Sequence, residues 1–96
     1  MHELDKNILL RIKNIVLSYG KVDKIILFGS RAKGTAKQGS DIDIALVGSN
    51  LSFSEMCRIL NEIEELNLPY KVDIIQYDSL SNEDIKKDIL KFGIAI

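Results

Sequence analysis

The sequence predicts a small α/β sandwich, and three observations point to it. Apolar stretches at helical spacing alternate with short β-branched runs, in the order α-β-(short α)-β-α-β-α. The turn Gly29-Ser30 cuts off the first of those runs, and two aspartates, Asp41 and Asp43, open the second. The third run, Lys71-Val72-Asp73-Ile74-Ile75-Gln76, holds a carboxylate inside an otherwise apolar strand, which is unfavourable without a partner or a cation. Together they predict a small mixed β-sheet of three to four strands, flanked by helices and carrying carboxylates at one end.

Residues 4–19 form the first helix, with Leu4, Ile8, Ile12, Ile15, Val16 and Tyr19 on one face, Asp5 as a cap and Gly20 as the stop. Leu9 and Leu10 widen that face beyond what one sheet surface requires, and His2 reads as a solvated terminal residue. Strand one covers about 23–28 and is followed by a helical turn near 30–34. Arg31, Lys33 and Lys37 then place three positive charges within seven residues, where a polyphosphate would lie beside an acidic metal site. Strand two spans about 41–47.

Ser52-Phe53-Ser54-Glu55 matches a capping box. The helix it opens runs to about 66, with Met56, Ile59, Leu60, Ile63 and Leu66 inward and Glu62, Glu64 and Glu65 outward. Cys57 flanks the apolar stripe and reads as a small core residue rather than a nucleophile. Strand three covers 71–76. Ser81 or Asn82 opens a last helix through about 92, with Ile85, Ile89 and Phe92 inward and Gly93 beyond its end. The tail Ile94-Ala95-Ile96 adds an edge strand or docks on a partner.

The chain of 96 residues predicts one domain, 1–96, large enough for a core but too small to enclose an active site. Substrate recognition is then shallow or completed by a partner, in a homo- or hetero-oligomer. With 46% hydrophobic and 28% charged residues the composition is that of a soluble protein, and the net charge of -1 argues against an extensive nucleic-acid surface. One cysteine and no signal-like leader predict a cytoplasmic setting. No apolar stretch approaches the ~20 residues of a membrane span.

The chemistry lies in the turn and the carboxylates. A glycine at 29 lets backbone N–H groups approach an anion closely. Asp41 and Asp43, at i and i+2 of a strand, share one face, and Asp73 joins them if strands two and three are neighbours. Two unit charges ~5 Å apart repel by roughly 3 kcal/mol at an effective dielectric near 20, so three at one sheet end require a cation or a raised pKa. Oxygen ligands suit Mg²⁺ or Mn²⁺. The spacing from Gly29 to Gly34 and Thr35 approaches a P-loop, but the lysine and the long crossover helix are missing. A phosphatase built on D-x-D would carry it after the first strand rather than at the start of the second.

Leu27-Phe28-Gly29-Ser30-Arg31-Ala32-Lys33-Gly34, followed by Ser40-Asp41-Ile42-Asp43-Ile44, resembles the minimal nucleotidyltransferases (MNT) of the DNA polymerase β superfamily. The subgroup is often paired with HEPN-domain proteins as antitoxin and toxin. The likeness covers nearly the whole chain, including Asp73. It implies transfer of a nucleoside monophosphate from an NTP, AMP from ATP, to a hydroxyl acceptor. Asp41 and Asp43 would hold two Mg²⁺ ions (or Mn²⁺), and Asp73 would complete one ion's shell and help deprotonate the acceptor. Gly29 and Ser30 would bind the terminal phosphates, with Arg31 alongside. Lys33 stands where many relatives carry arginine. The resemblance implies an antitoxin that adenylylates a HEPN-type protein partner. Two alternatives are an antitoxin that acts by binding alone and an adenylyltransferase for a small molecule or RNA with a separate recognition subunit.

Overall fold

The computed structural model describes residues 6–37 and 39–96. The expectations for His2, Leu4 and Asp5 lie outside the described residues. The observed elements are α1 (Lys6–Leu17), β1 (Lys24–Phe28), α2 (Ser30–Lys33), β2 (Ile42–Val47), α3 (Phe53–Glu64), β3 (Val72–Gln76), α4 (Glu83–Phe92) and β4 (Ile94–Ala95), with a 3₁₀ turn at Tyr77–Ser79. Each predicted element is present, with ends that fall among the described residues displaced by at most two positions.

One mixed sheet has the order β3-β2-β1-β4. β1 runs antiparallel to β2 and to β4, whereas β2 and β3 are parallel neighbours. The tail is therefore an edge strand, pairing Ile26 with Ala95 and Leu27 with Ile94. The parallel pair requires a crossover, which α3 provides.

Strand alternation divides the side chains between two faces. Ile25 and Leu27 of β1 join Ile42, Ile44 and Leu46 of β2 in a core sealed by Ile12 and Val16 of α1 and by Ile59 and Ile63 of α3. Full burial of each such side chain stabilises the fold by about 1.5–3 kcal/mol. The other face carries Ile26, Phe28, Asp43, Ala45 and Asp73. α4 covers part of it through Ile89, which is buried outside the main core. Gly93 closes this packing, since a β-carbon there would stand 2.5 Å from Ile26 Cγ2. Its φ of -62° makes it a close-packing glycine rather than a left-handed helix stop.

The helix ends follow local chemistry. Ser52 Oγ accepts from the Glu55 amide at 3.1 Å while Glu55 Oε1 accepts from the Ser52 amide at 3.0 Å, the reciprocal capping box. Asn82, rather than Ser81, caps α4, accepting from the amides of Asp84 and Ile85.

Several inward expectations fail. Leu60, Ile85 and Phe92 are each about 40% exposed (38%, 38% and 42%): Leu60 and Ile85 line the groove beside β3, and Phe92 lies at the end of α4 near Lys33. Cys57 is exposed rather than core, since Met56, Ile59 and Ile63 already supply the inward stripe of α3 and position 57 falls beyond it. On α1, Leu9 is half-buried and Leu10 exposed, so the widened face is only partly used. Among the described residues, no helix is long and apolar enough to cross a membrane.

Candidate active site

The end of β1 meets the beginnings of β2 and β3, and the carboxylates gather there. In register, Phe28 stands opposite Asp43, and Asp43 stands beside Asp73 of the parallel strand. Paired residues of neighbouring strands point to one face, so the two carboxylates share a surface across a strand spacing of ~4.8 Å. Asp41 lies just before β2 and is exposed, whereas Asp43 and Asp73 are half-buried. Lys71 is the one cation paired with them among the described residues, loosely, its Nζ 3.8 Å from Asp73 Oδ1.

Electrostatics match this crowding. The pKa of Asp43 is raised above the ordinary aspartate value, first by burial, then by the negative charges of Asp73 and Asp41; Arg31 and Lys71 oppose the rise.

Gly29 fits against this pair from β1. Its backbone (φ 75°, ψ -154°) lies in a region essentially restricted to glycine, and a β-carbon would stand 2.5 Å from Asp43 Oδ2. The turn can approach the carboxylate only because position 29 has no side chain. Ser30 opens α2 half-buried, its hydroxyl without a protein partner among the described residues. Turn and carboxylates border a groove of about 1000 Å³ that wraps the open edge of β3, with Tyr70, Leu80, Ile85 and Asp88 along its walls.

The basic stretch does not act as one cluster: Arg31 is buried, whereas Lys33 and Lys37 are exposed. Arg31 is buried (5% exposed), its Nε 3.1 Å from the Ser40 carbonyl and 3.3 Å from that of Asp41, with Nη2 also on the Ser40 carbonyl. Its guanidinium lies 4.6 Å over the Tyr70 ring. Lys33 pairs with Asp88 of α4 at 2.8 Å and lies near the Phe92 ring. Lys37 stays exposed. Short-range acceptors won: the chain folds back at Ser40, whose hydroxyl accepts from the Lys37 amide at 2.8 Å, and brings two carbonyls onto Arg31. Nothing in the sequence alone assigns a role to Tyr70 or Asp88. An aromatic residue directly after Pro69 and before the acidic strand was the available signal.

The donor set at this end is carboxylate oxygen throughout, which fits a hard divalent cation. Among the described residues, no three Asp, Glu, His or Cys side chains converge as a ready-made cage. Asp43 and Asp73 form the close pair, with Asp41 at the rim.

Comparison with known proteins agrees with this geometry. A chain from Methanocaldococcus jannaschii, provisionally named a protein adenylyltransferase, is 39% identical over 87 residues, covering 88% of this chain and 86% of its own length. The provisionally named protein adenylyltransferase MntA of Haemophilus influenzae is 37% identical over 70 residues, covering 72% of this chain and 60% of that protein. Among solved structures, a tri-AMPylated Shewanella oneidensis HEPN toxin in complex with MNT antitoxin shares the fold, with TM-score 0.72 and 18% identity over 96% of this chain and 71% of that one. A toxin–antitoxin structure with AMP-PNP aligns at TM-score 0.71 and 23% identity, covering 96% of this chain and 72% of that one. Residues 11–96 match the family described as polymerase beta, nucleotidyltransferase, and the chain belongs to that family.

Proposed function

We propose that this protein transfers AMP from ATP to a hydroxyl group of a HEPN-type protein partner, as the antitoxin of a toxin–antitoxin pair. The observation that carries the reading is the meeting of Gly29, Asp43 and Asp73 at one sheet end. The family's transferase chemistry, the adenylyltransferase names of relatives and the HEPN partner of a structural neighbour support it.

Asp41, Asp43 and Asp73 are the residues that would hold two divalent ions, Mg²⁺ or Mn²⁺. Bound there, the ions would neutralise charge on the entering and leaving oxygens of an in-line displacement. Gly29 admits the triphosphate close to the backbone, and the free hydroxyl of Ser30 offers it a hydrogen bond. Asp73, at the groove side of the pair, accepts the proton of the acceptor hydroxyl as that oxygen attacks the α-phosphorus of ATP. The P–O bond to pyrophosphate breaks, and AMP remains on the acceptor. Positioning supplies much of the rate, because a docked partner presents its hydroxyl at high effective concentration.

The test is incubation of the protein with α-labelled ATP, Mg²⁺ and the HEPN-type product of a neighbouring gene. Label should move to the partner, and Asp43→Ala should abolish transfer. Full neutralisation of the partner by Asp43→Ala would replace this reading with an antitoxin that acts by binding alone. Label found on RNA or a small molecule instead of the partner would replace the acceptor.

A further inference from the structure

We infer that Arg31 is a positioning residue, which clamps the turn ahead of β2 and so sets where the Asp41 carboxylate stands relative to Asp43 and Asp73. This rests on the site reading above and assigns Arg31 a place behind the carboxylates rather than on the phosphates.

Asp43 and Asp73 need no such device. Both lie within strands, and the β2–β3 ladder holds their backbones in register. Asp41 lies outside it. The first bond from β2 toward β3 is the Ile42 amide to the Lys71 carbonyl at 2.8 Å, one residue too late to hold the carbonyls of Ser40 and Asp41. Those two carbonyls are the acceptors that Arg31 takes.

The chemistry of the choice is informative. A buried guanidinium is ordinarily neutralised by a carboxylate, and three aspartates lie close by. Among the described residues Arg31 forms no ion pair; it is given neutral carbonyls and the face of Tyr70. Arg31 thus pairs with none of the carboxylates, while the backbone that carries one of them is fixed. A planar fork can bridge two consecutive carbonyls; a lysine ammonium is a single point donor. Nη1 is buried without a partner among the described residues, so the side chain is held by the turn it clamps rather than by a complete set of acceptors of its own. A supporting group that locks a ligand's backbone while leaving its side chain free is a preorganised site.

The experiment is titration of Mn²⁺ into the nucleotide-free protein, followed by the electron paramagnetic resonance of free Mn²⁺, alongside ATP binding measured without divalent ions. Arg31→Lys should weaken Mn²⁺ binding about tenfold and leave metal-free ATP binding within twofold of wild type. Amide exchange over residues 40–42 should quicken. Tyr70→Leu, which removes the supporting ring but not the fork, should lower Mn²⁺ affinity in the same direction, and Tyr70→Phe should keep it. These two variants decide the matter if Arg31→Lys does not fold. Unchanged Mn²⁺ affinity in Arg31→Lys and Tyr70→Leu overturns the positioning role, as does a loss confined to metal-free ATP binding, which would put Arg31 on the phosphates. A wild type that takes up no Mn²⁺ overturns the site reading, and this assignment with it.

Discussion

The two ends of the central sheet use the same residue types in opposite ways. Beyond the C-terminal ends of β2 and β3, polar groups find partners. Gln76 Oε1 accepts from Ser49 Oγ at 2.7 Å and from the Leu51 amide, Asp78 accepts from the Gly48 amide at 2.7 Å, and Glu55 takes both Lys21 and its capping amide. At the opposite end, Asp43 faces Asp73, the nearest buried cation bonds carbonyls, and a glycine is pressed against a carboxylate. A fold meets its polar requirements where it needs only stability and leaves them open where a ligand is to complete them. On the proposed function, the first end is scaffold and the second is site.

Two glycines give the sharpest way to break this contrast. Gly29 and Gly48 both have positive φ, and a β-carbon on either would collide with an aspartate, Asp43 or Asp23. Gly29→Val should reduce AMP transfer by more than ~100-fold, since misplacement of about 1 Å at a reacting centre already costs that much. Gly48→Ala should cost about 1–3 kcal/mol of stability through strain, while the rate per folded molecule stays that of wild type. Label transfer and thermal melts, run on both variants, separate the two outcomes. Equal loss of transfer in both would erase the distinction between the ends.

Next in size is the response to metal. Mn²⁺ at a hundredfold excess over its dissociation constant should stabilise the wild type by ~2.7 kcal/mol. Asp43→Asn should remove most of that shift, whereas Asp78→Asn at the scaffold end should leave it whole. Calorimetric melts with and without Mn²⁺ give the comparison.

How much of this was legible in the sequence depends on how local each feature is. Gly29, Ser30, Asp41 and Asp43 lie within fifteen residues, and strand alternation alone predicts the shared face of the two aspartates. Asp73 required one assumption, that β2 and β3 are neighbours, and the parallel register bears it out. The capping box is local chemistry and was readable outright. Arg31 was not, because a basic residue in a polar turn looks solvated until the chain folds back at Ser40, nine residues on. Leu60, Ile85 and Phe92 carry the periodicity of core residues, yet periodicity cannot reveal that the sheet stops at β3 or that α4 packs on the sheet's other face mainly through Ile89.

Without metal, Asp43→Asn should have the opposite effect on the fold. A raised pKa means that the native state holds the proton more tightly than the unfolded chain does. Stability from this group is therefore full below the unfolded value and falls as pH rises through the higher native value. At pH 7 the ionised site carries that penalty. Asparagine removes it, so the metal-free variant should melt above wild type at pH 7, by an amount that solvent screening at this half-exposed position keeps small. A metal-free Asp43→Asn that melts below wild type at pH 7 would show that the carboxylates do not strain the fold.

The smallest effects belong to the scaffold end, and there the pH dependence should change sign. Ser52→Ala removes the acceptor of the α3 cap and should cost ~1 kcal/mol, with no change in transfer. Glu55 is the more telling partner. Its pKa is lowered, chiefly by the hydrogen bond from the Ser52 backbone and then by the bond from Lys21. A depressed carboxylate contributes stability above its unfolded value, and that stability is lost as pH falls through the native value. In wild type, then, acidification relieves strain at Asp43 while it dissolves a favourable contact at Glu55. Glu55→Gln should flatten the acid side of the stability profile, and Asp43→Asn should flatten the fall toward neutral pH. Melts of both variants between pH 3 and 7, in chelator, read the two slopes separately. Slopes of the same sign would mean that both carboxylates are held as scaffold, and that the site end is no more strained than its opposite.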